Sequence, residues 1–158
     1  MYKKILLGAL LACCYVIPAI ANDNENNDLT PQDLSMVVSE AQTWKGTRYQ
    51  YGGKDRGGVD CSHFVYEVYN QVVEDYSYRR AEDYPNDPAF SPTTSPKPGD
   101  VIVFPAVRGQ SAHVGILTNV PESKFIGSQS STGVKEASYA ANTYWGKRPH
   151  QVVSLFKD

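Results

Sequence analysis

The chain has 158 residues and a mass of 17.5 kDa, enough for one domain with a modest core and too short for two of ordinary size. With 41% apolar and 20% charged residues its composition is globular, which disfavours wholesale disorder, a collagenous repeat and a polytopic membrane protein. Fifteen basic residues against 17 acidic ones, with a sequence pI near 5.9, supply no positive field for a phosphate backbone, so nucleic acid is disfavoured as a partner.

The first 21 residues have the form of an export signal. Lys3 and Lys4 make a positive start, Ile5 to Ile17 is an apolar run too short for an ordinary membrane span, and Pro18-Ala19-Ile20-Ala21 ends in small residues at cleavage spacing. Cleavage after Ala21 leaves a polar linker at 22–32 and one domain at 33–158. A competing reading takes Leu10-Leu11-Ala12-Cys13 as a bacterial lipoprotein signal with a lipidated Cys13. It is the weaker one, because the apolar stretch continues past Cys13 and Leu is bulky for a position two residues before the cut. Cys13 and Cys14 leave with the signal, so the mature 137 residues (158 minus 21) hold one cysteine, Cys61. A lone thiol in an exported chain that also carries histidine is a candidate nucleophile; the bland alternative is a small buried hydrophobe.

Thr30 caps a predicted helix with Pro31 in its first turn, and Leu34, Val37, Val38, Ala41 and Trp44 recur at helical spacing up to Gly46. Residues 47–58 form a glycine-rich approach that leads to Cys61. Phe64, Val65, Val68, Tyr69, Val72 and Val73 then make a second helical stripe, which places Asp60 and Cys61 at a helix N-terminus. There the unpaired N–H groups and the positive end of the helix dipole are expected to favour the thiolate. Residues 75–99 read as an irregular excursion that could wall a groove. After the turn Pro98-Gly99-Asp100 come β-rich segments at 101–104, 112–118, 124–128, 134–138 and 151–156. Helices followed by antiparallel strands predict an α+β fold.

Three histidines compete for the role of base. His63 lies two residues beyond Cys61 on the same helix, which points the two side chains to different faces. His150 stands at the entry to a final strand, where a surface role is expected. His113 opens an apolar strand in Ser111-Ala112-His113-Val114-Gly115-Ile116, and a strand-borne histidine facing a helix-borne cysteine suits nucleophilic catalysis of the papain type.

Gly46-Thr47-Arg48-Tyr49-Gln50-Tyr51-Gly52-Gly53, Gly58-Val59-Asp60-Cys61-Ser62, Pro98-Gly99-Asp100-Val101 and His113-Val114-Gly115-Ile116 resemble, in order and spacing, the NlpC-type cell-wall cysteine peptidases. The resemblance covers about residues 35 to 150. It implies a papain-like core and cleavage of bacterial peptidoglycan stem peptides, often between D-glutamate and a diamino acid. By motif it makes Cys61 the nucleophile, His113 the base and Tyr49 a phenol lining the site, with Asp60 and Ser62 helping to hold the substrate. Two positions depart from the pattern. The residue after Asp-Cys-Ser is usually Gly and here is His63, which would narrow the cleft. The third catalytic residue, usually a His, falls on Gly127 in Phe125-Ile126-Gly127-Ser128-Gln129.

Strand alternation puts residues 127 and 129 on one face and Ser128 on the other, so Gln129 is expected to replace the missing residue by accepting a hydrogen bond from His113 Nδ1. The alternative for Gln129 is a solvent-facing side chain in a polar turn. The resulting expectation is an exported cysteine peptidase of peptidoglycan in the periplasm or cell envelope, a monomer without stable membrane contact unless lipidated. Its mechanism pairs a Cys61 thiolate with protonated His113, and the Cys61 backbone N–H serves the oxyanion. No cofactor is expected, since no His-Glu-x-x-His or Cys-x-x-Cys set suggests a metal. A non-catalytic wall-binding module and an antibacterial amidase toxin are the alternatives.

Overall fold

The computed structural model describes residues 30–155. The expected export signal, the linker up to residue 29, Cys13 and the end of the last strand from Phe156 lie outside the described residues. Helix α1 (Pro31–Thr43) begins where its sequence dictates: the Thr30 hydroxyl accepts the Asp33 N–H, and the Asp33 carboxylate accepts the Thr30 N–H at 2.6 Å. Its apolar stripe buries Leu34, Val37 and Ala41.

The glycine-rich approach forms a small hairpin that the sequence pattern does not announce, β1 (Lys54–Asp55) against β2 (Gly58–Val59). Here the backbones meet so closely that a Cβ on Gly53 would lie 2.2 Å from the Gly58 carbonyl oxygen, so only glycine fits. The hairpin delivers the chain to helix α2 (Cys61–Asn70), whose N-cap is Asp60. Phe64, Val65, Val68 and Tyr69 are buried as the periodicity predicts. The helix ends at Gln71, and Val72 and Val73 pack against the core from beyond it.

Residues 75–99 are irregular yet well packed. Tyr76 stacks on Tyr69 at 4.9 Å, the Tyr76 and Tyr84 hydroxyls are 3.1 Å apart, and Arg79 pairs with Asp87 at 2.6 Å. Tyr69 donates its hydroxyl to the Gly99 carbonyl and ties this wall to the turn before the main sheet. The segment contributes β3 (Ser91–Pro92) before the strands β4 (Val101–Phe104), β5 (His113–Asn119), β6 (Lys124–Gln129), β7 (Gly133–Ser138) and β8 (Gln151–Ser154). These pair antiparallel in the order β3-β8-β4-β5-β6-β7.

Strand alternation divides the core in two. Val101, Val103, Val114, Ile116 and Ile126 face the helices and form the larger core with them. Ile102, Phe104, Leu117 and Phe125 face the other way, where Tyr139 and Trp145 cover them. The segment after α1 lies along β7: Gly46 N–H donates to the Val134 carbonyl at 3.0 Å, and Val134 N–H donates to the Thr47 carbonyl at 2.8 Å.

Ser128 points to the helix side, as its place in β6 predicts, and its buried hydroxyl donates to the Val59 carbonyl at 2.7 Å. Ser128→Ala is expected to cost about 1 kcal/mol, the typical net value of one such bond, because the Gln50 N–H still satisfies the Val59 oxygen. Urea unfolding measures it, and an unchanged midpoint would show that this bond does not anchor the start of α2.

Candidate active site

Cys61 is the first residue of α2, placed there by a cap in which Asp60 Oδ1 accepts the His63 N–H at 2.8 Å. Asp60 Oδ2 also accepts the Gly52 N–H at 3.1 Å, so one carboxylate fixes both the helix start and the loop in front of it. A backbone hydrogen bond from Val114 reaches the Cys61 thiol, and Ser62 contributes others. Val114 follows His113, so the nucleophile candidate sits against the first turnout of β5. Cys61 and His113 line one cleft of about 480 Å³ with Tyr49, Gln129 and Trp145. Beside it lies a second of about 640 Å³, shared by Tyr49, Asp60, Cys61, Ser62, His63 and Tyr78. The structure therefore brings together all six residues singled out from the sequence, although not in the roles expected of each.

His113 is paired with Phe104 across β4 and β5, which sets its ring against the smaller core at the edge of the cleft it shares with Cys61. Its ring stacks on Trp145 at 4.5 Å and 24°, with Phe104 at 6.0 Å and Phe125 at 6.2 Å. A Cβ built on Gly127 would lie 3.1 Å from His113 Nε2, so Gly127 does stand beside the base, on the face alternation assigns it. The expected hydrogen bond to Gln129 is not formed. Gln129 ends β6, and its amide nitrogen closes over the hairpin onto the Lys135 carbonyl of β7 at 3.1 Å, while His113 Nε2 is buried without a partner. Trp145 carries no signal in the sequence, because nothing local shows which side chain of the 139–150 segment folds back on β5.

His63 joins the cleft wall as the sequence suggests. Its ring stacks on Tyr78 at 4.4 Å, and Nδ1 lies 3.1 Å from Asp60 Oδ2, so it docks the irregular wall onto the helix start. His150 is exposed, with Nδ1 2.9 Å from the Arg148 carbonyl.

The electrostatics correct the expected ion pair. Burial pushes the Cys61 thiol above its ordinary value, although the Val114 and Ser62 hydrogen bonds pull it down. Burial, assisted by the positive charge of Arg148, drops His113 to about 3. The helix N-terminus does not outweigh desolvation, and the resting pair is a neutral thiol beside a neutral imidazole. Burial also raises the Tyr49 phenol, with the Cys61 and Asp60 charges adding to it.

A helix-borne cysteine against the antiparallel sheet, with the histidine at the start of a central strand, defines a papain-like α+β fold. Residues 46–154 match the model of the NlpC/P60 family, and the chain belongs to that family. It is 34% identical over 146 residues to the probable endopeptidase NlpC of Escherichia coli strain K12, covering 90% of this chain and 92% of the relative. With a probable endopeptidase of Haemophilus influenzae it shares 29% over 159 residues, covering 96% and 97%. The solved NlpC/p60 domain of the peptidoglycan hydrolase SagA superposes with a TM-score of 0.57 at 29% identity, over 75% of this chain and 97% of that one.

Two pH measurements check the neutral pair. Iodoacetamide should alkylate Cys61 at a rate still rising beyond pH ~9, since only the thiolate reacts; a plateau reached below pH 7 would restore the ion pair. As pH falls below 6.5 the unfolded chain takes up a proton at residue 113 while the folded chain stays neutral down to about 3. Stability is therefore lost across that window, at up to about 1.4 kcal/mol per pH unit from this group. Chemical denaturation of His113→Gln between pH 6.5 and 5 should show a flatter profile than the parent, and parallel profiles would count against burial of a neutral base.

Proposed function

We propose that this protein is an exported cysteine peptidase that hydrolyses an amide bond in peptidoglycan stem peptides, between D-glutamate and the diamino acid. The observation that carries this reading is the meeting of the Cys61 thiol with the start of β5 in a cleft shared with His113. Family membership supports the reaction class, and the motif resemblance supports the bond. The positive start, apolar run and small residues of 1–21 support export to the periplasm or cell envelope, with cleavage after Ala21, and the chain acts as a monomer.

The chemistry follows from the neutral pair. With Nε2 buried, Nδ1 of His113 takes the thiol proton as Cys61 Sγ attacks the amide carbonyl. The Cys61 backbone N–H, free at the helix start, faces the developing oxyanion, a contribution worth roughly 3 kcal/mol in comparable sites. Imidazolium then returns its proton to the leaving amine. Water, deprotonated by the same nitrogen, cleaves the thioester and regenerates the thiol. The neutral resting state does not prevent this, because the proton moves within the attack rather than before it. Tyr49, Asp60 and Ser62 line the substrate cleft, where Asp60 acts chiefly by holding the Gly52 loop and the helix cap.

The partnerless Nε2 of His113 favours one second reading, a wall-binding module without turnover. Mass spectrometry of muropeptides digested by the mature protein separates the two, and the product masses identify the bond. Cys61→Ala should abolish release while keeping the fold, because little packing is lost at a helix start. Gln129→Ala should leave release unchanged within about twofold, because its amide is engaged with the Lys135 carbonyl and makes no bond to His113. Sacculi bound without any released peptide would establish the binding module instead.

A further inference from the structure

A general base works only if its ring is held, and the usual holder is a third side chain hydrogen-bonded to the nitrogen remote from the nucleophile. In this chain Gly127 occupies that place and offers no group, and Gln129 is engaged with β7. Nonetheless the His113 ring has little freedom. On one side the Gly127 backbone approaches so closely that even a methyl group would press on Nε2, and the Phe125 ring meets His113 edge-on at 69°. Trp145 lies nearly parallel to the imidazole, nearer than either phenylalanine.

The tryptophan is itself held. Thr143 Oγ1 donates to the Ser138 and Ala140 carbonyls, each at 2.8 Å, and the Gly146 N–H donates back to Thr143 at 3.1 Å, which fixes the turn carrying residue 145. Arg148 then clips this turn to the loop before β5: its guanidinium donates to the Pro105 carbonyl at 3.2 Å and the Ser111 carbonyl at 2.9 Å, and lies 5.2 Å from the Trp145 ring centre. Only Ala112 separates Ser111 from His113, so the clip ties the tryptophan to the strand that carries the base.

We propose that Trp145 is the positioning residue for His113, fixing the plane of the imidazole by stacking where relatives of this fold use a hydrogen bond to a third side chain. Stacking fixes the ring's tilt without adding charge or an acceptor, so it suits a base that rests neutral. Without that face the imidazole is free to turn about its Cβ–Cγ bond, and Nδ1 no longer points along the path of the thiol proton. The role in turnover rests on the peptidase reading above, whereas the effect on ring geometry does not.

The test compares Trp145→Phe, which keeps a stacking face, with Trp145→Leu, which keeps apolar volume and loses it. With a stem peptide as substrate, Trp145→Leu should lower kcat roughly tenfold to a hundredfold with KM little changed, as misplaced catalytic groups do, and Trp145→Phe should restore most of it. Two readouts need no substrate. The His113 ring protons should be shifted upfield by the indole ring current in the parent NMR spectrum, and this shift should vanish in Trp145→Leu. Nuclear Overhauser contacts from the His113 ring to Phe104 and Phe125 should weaken in Trp145→Leu as the ring turns, and recover in Trp145→Phe. If Trp145→Leu does not fold, Trp145→Met takes its place. Parent-like ring contacts and kcat in the folded aliphatic variant, or equal losses in the Phe and Leu variants, would overturn the proposal. A parent that releases no peptide while the shift and the ring contacts behave as described would remove the peptidase reading and leave the positioning role standing.

Discussion

The arrangement depends on where the first residue of α2 rests. That point is held from three directions: the Asp60 cap beneath it, the Ser128 hydroxyl on the carbonyl just before it, and the Val114 backbone on the thiol itself. Each contact comes from a different part of the chain, and each is buried or half-buried, where a hydrogen bond lost is costly. The glycine-rich hairpin matters for the same reason, because only a tight β1–β2 approach brings Val59 within reach of Ser128.

The nucleophile and the base belong to different cores. Cys61 rides on the helix packed against one face of the sheet, and His113 sits in the aromatic cluster on the other. They line one cleft because β5 begins there, with the His113 side chain on the aromatic cluster and the backbone of the next residue, Val114, hydrogen-bonded to the thiol. This placement also explains the shared neutrality of the pair. A ring enclosed by Trp145, Phe104 and Phe125, with a guanidinium nearby, has no environment for a positive charge until the reaction supplies one.

Much of this was legible in the sequence because the signals are local. The α1 cap, the two helical stripes and the alternating strands follow from short-range periodicity, and Cys61 and His113 stand where those elements begin. Alternation along β6 also assigned Gly127 and Ser128 to their correct faces. What does not form is the hydrogen bond expected of Gln129, because the last side chain of a strand is engaged by the hairpin it enters, here through the Lys135 carbonyl. The thiol's direction of shift was misread for a different reason. Helix polarity is visible in a sequence, while the burial that opposes it is a product of the whole fold. Trp145 is the extreme case, since its partner lies 32 residues away (145 minus 113) and no spacing rule links a turn to a strand at that separation.

The paired hydrogen bonds between Gly46-Thr47 and Val134 bear on the life of the protein outside its own fold. An outermost strand offers unsatisfied N–H and C=O groups to any other extended chain, and repeated copies can stack through them. Here the connection leaving α1 occupies part of that row on β7, and Lys135 and Glu136 put charge on the stretch that follows. The same short segment thus leads the chain toward the nucleophile and guards the sheet against recruiting its neighbours, which ties solubility at high concentration to the integrity of the first helix.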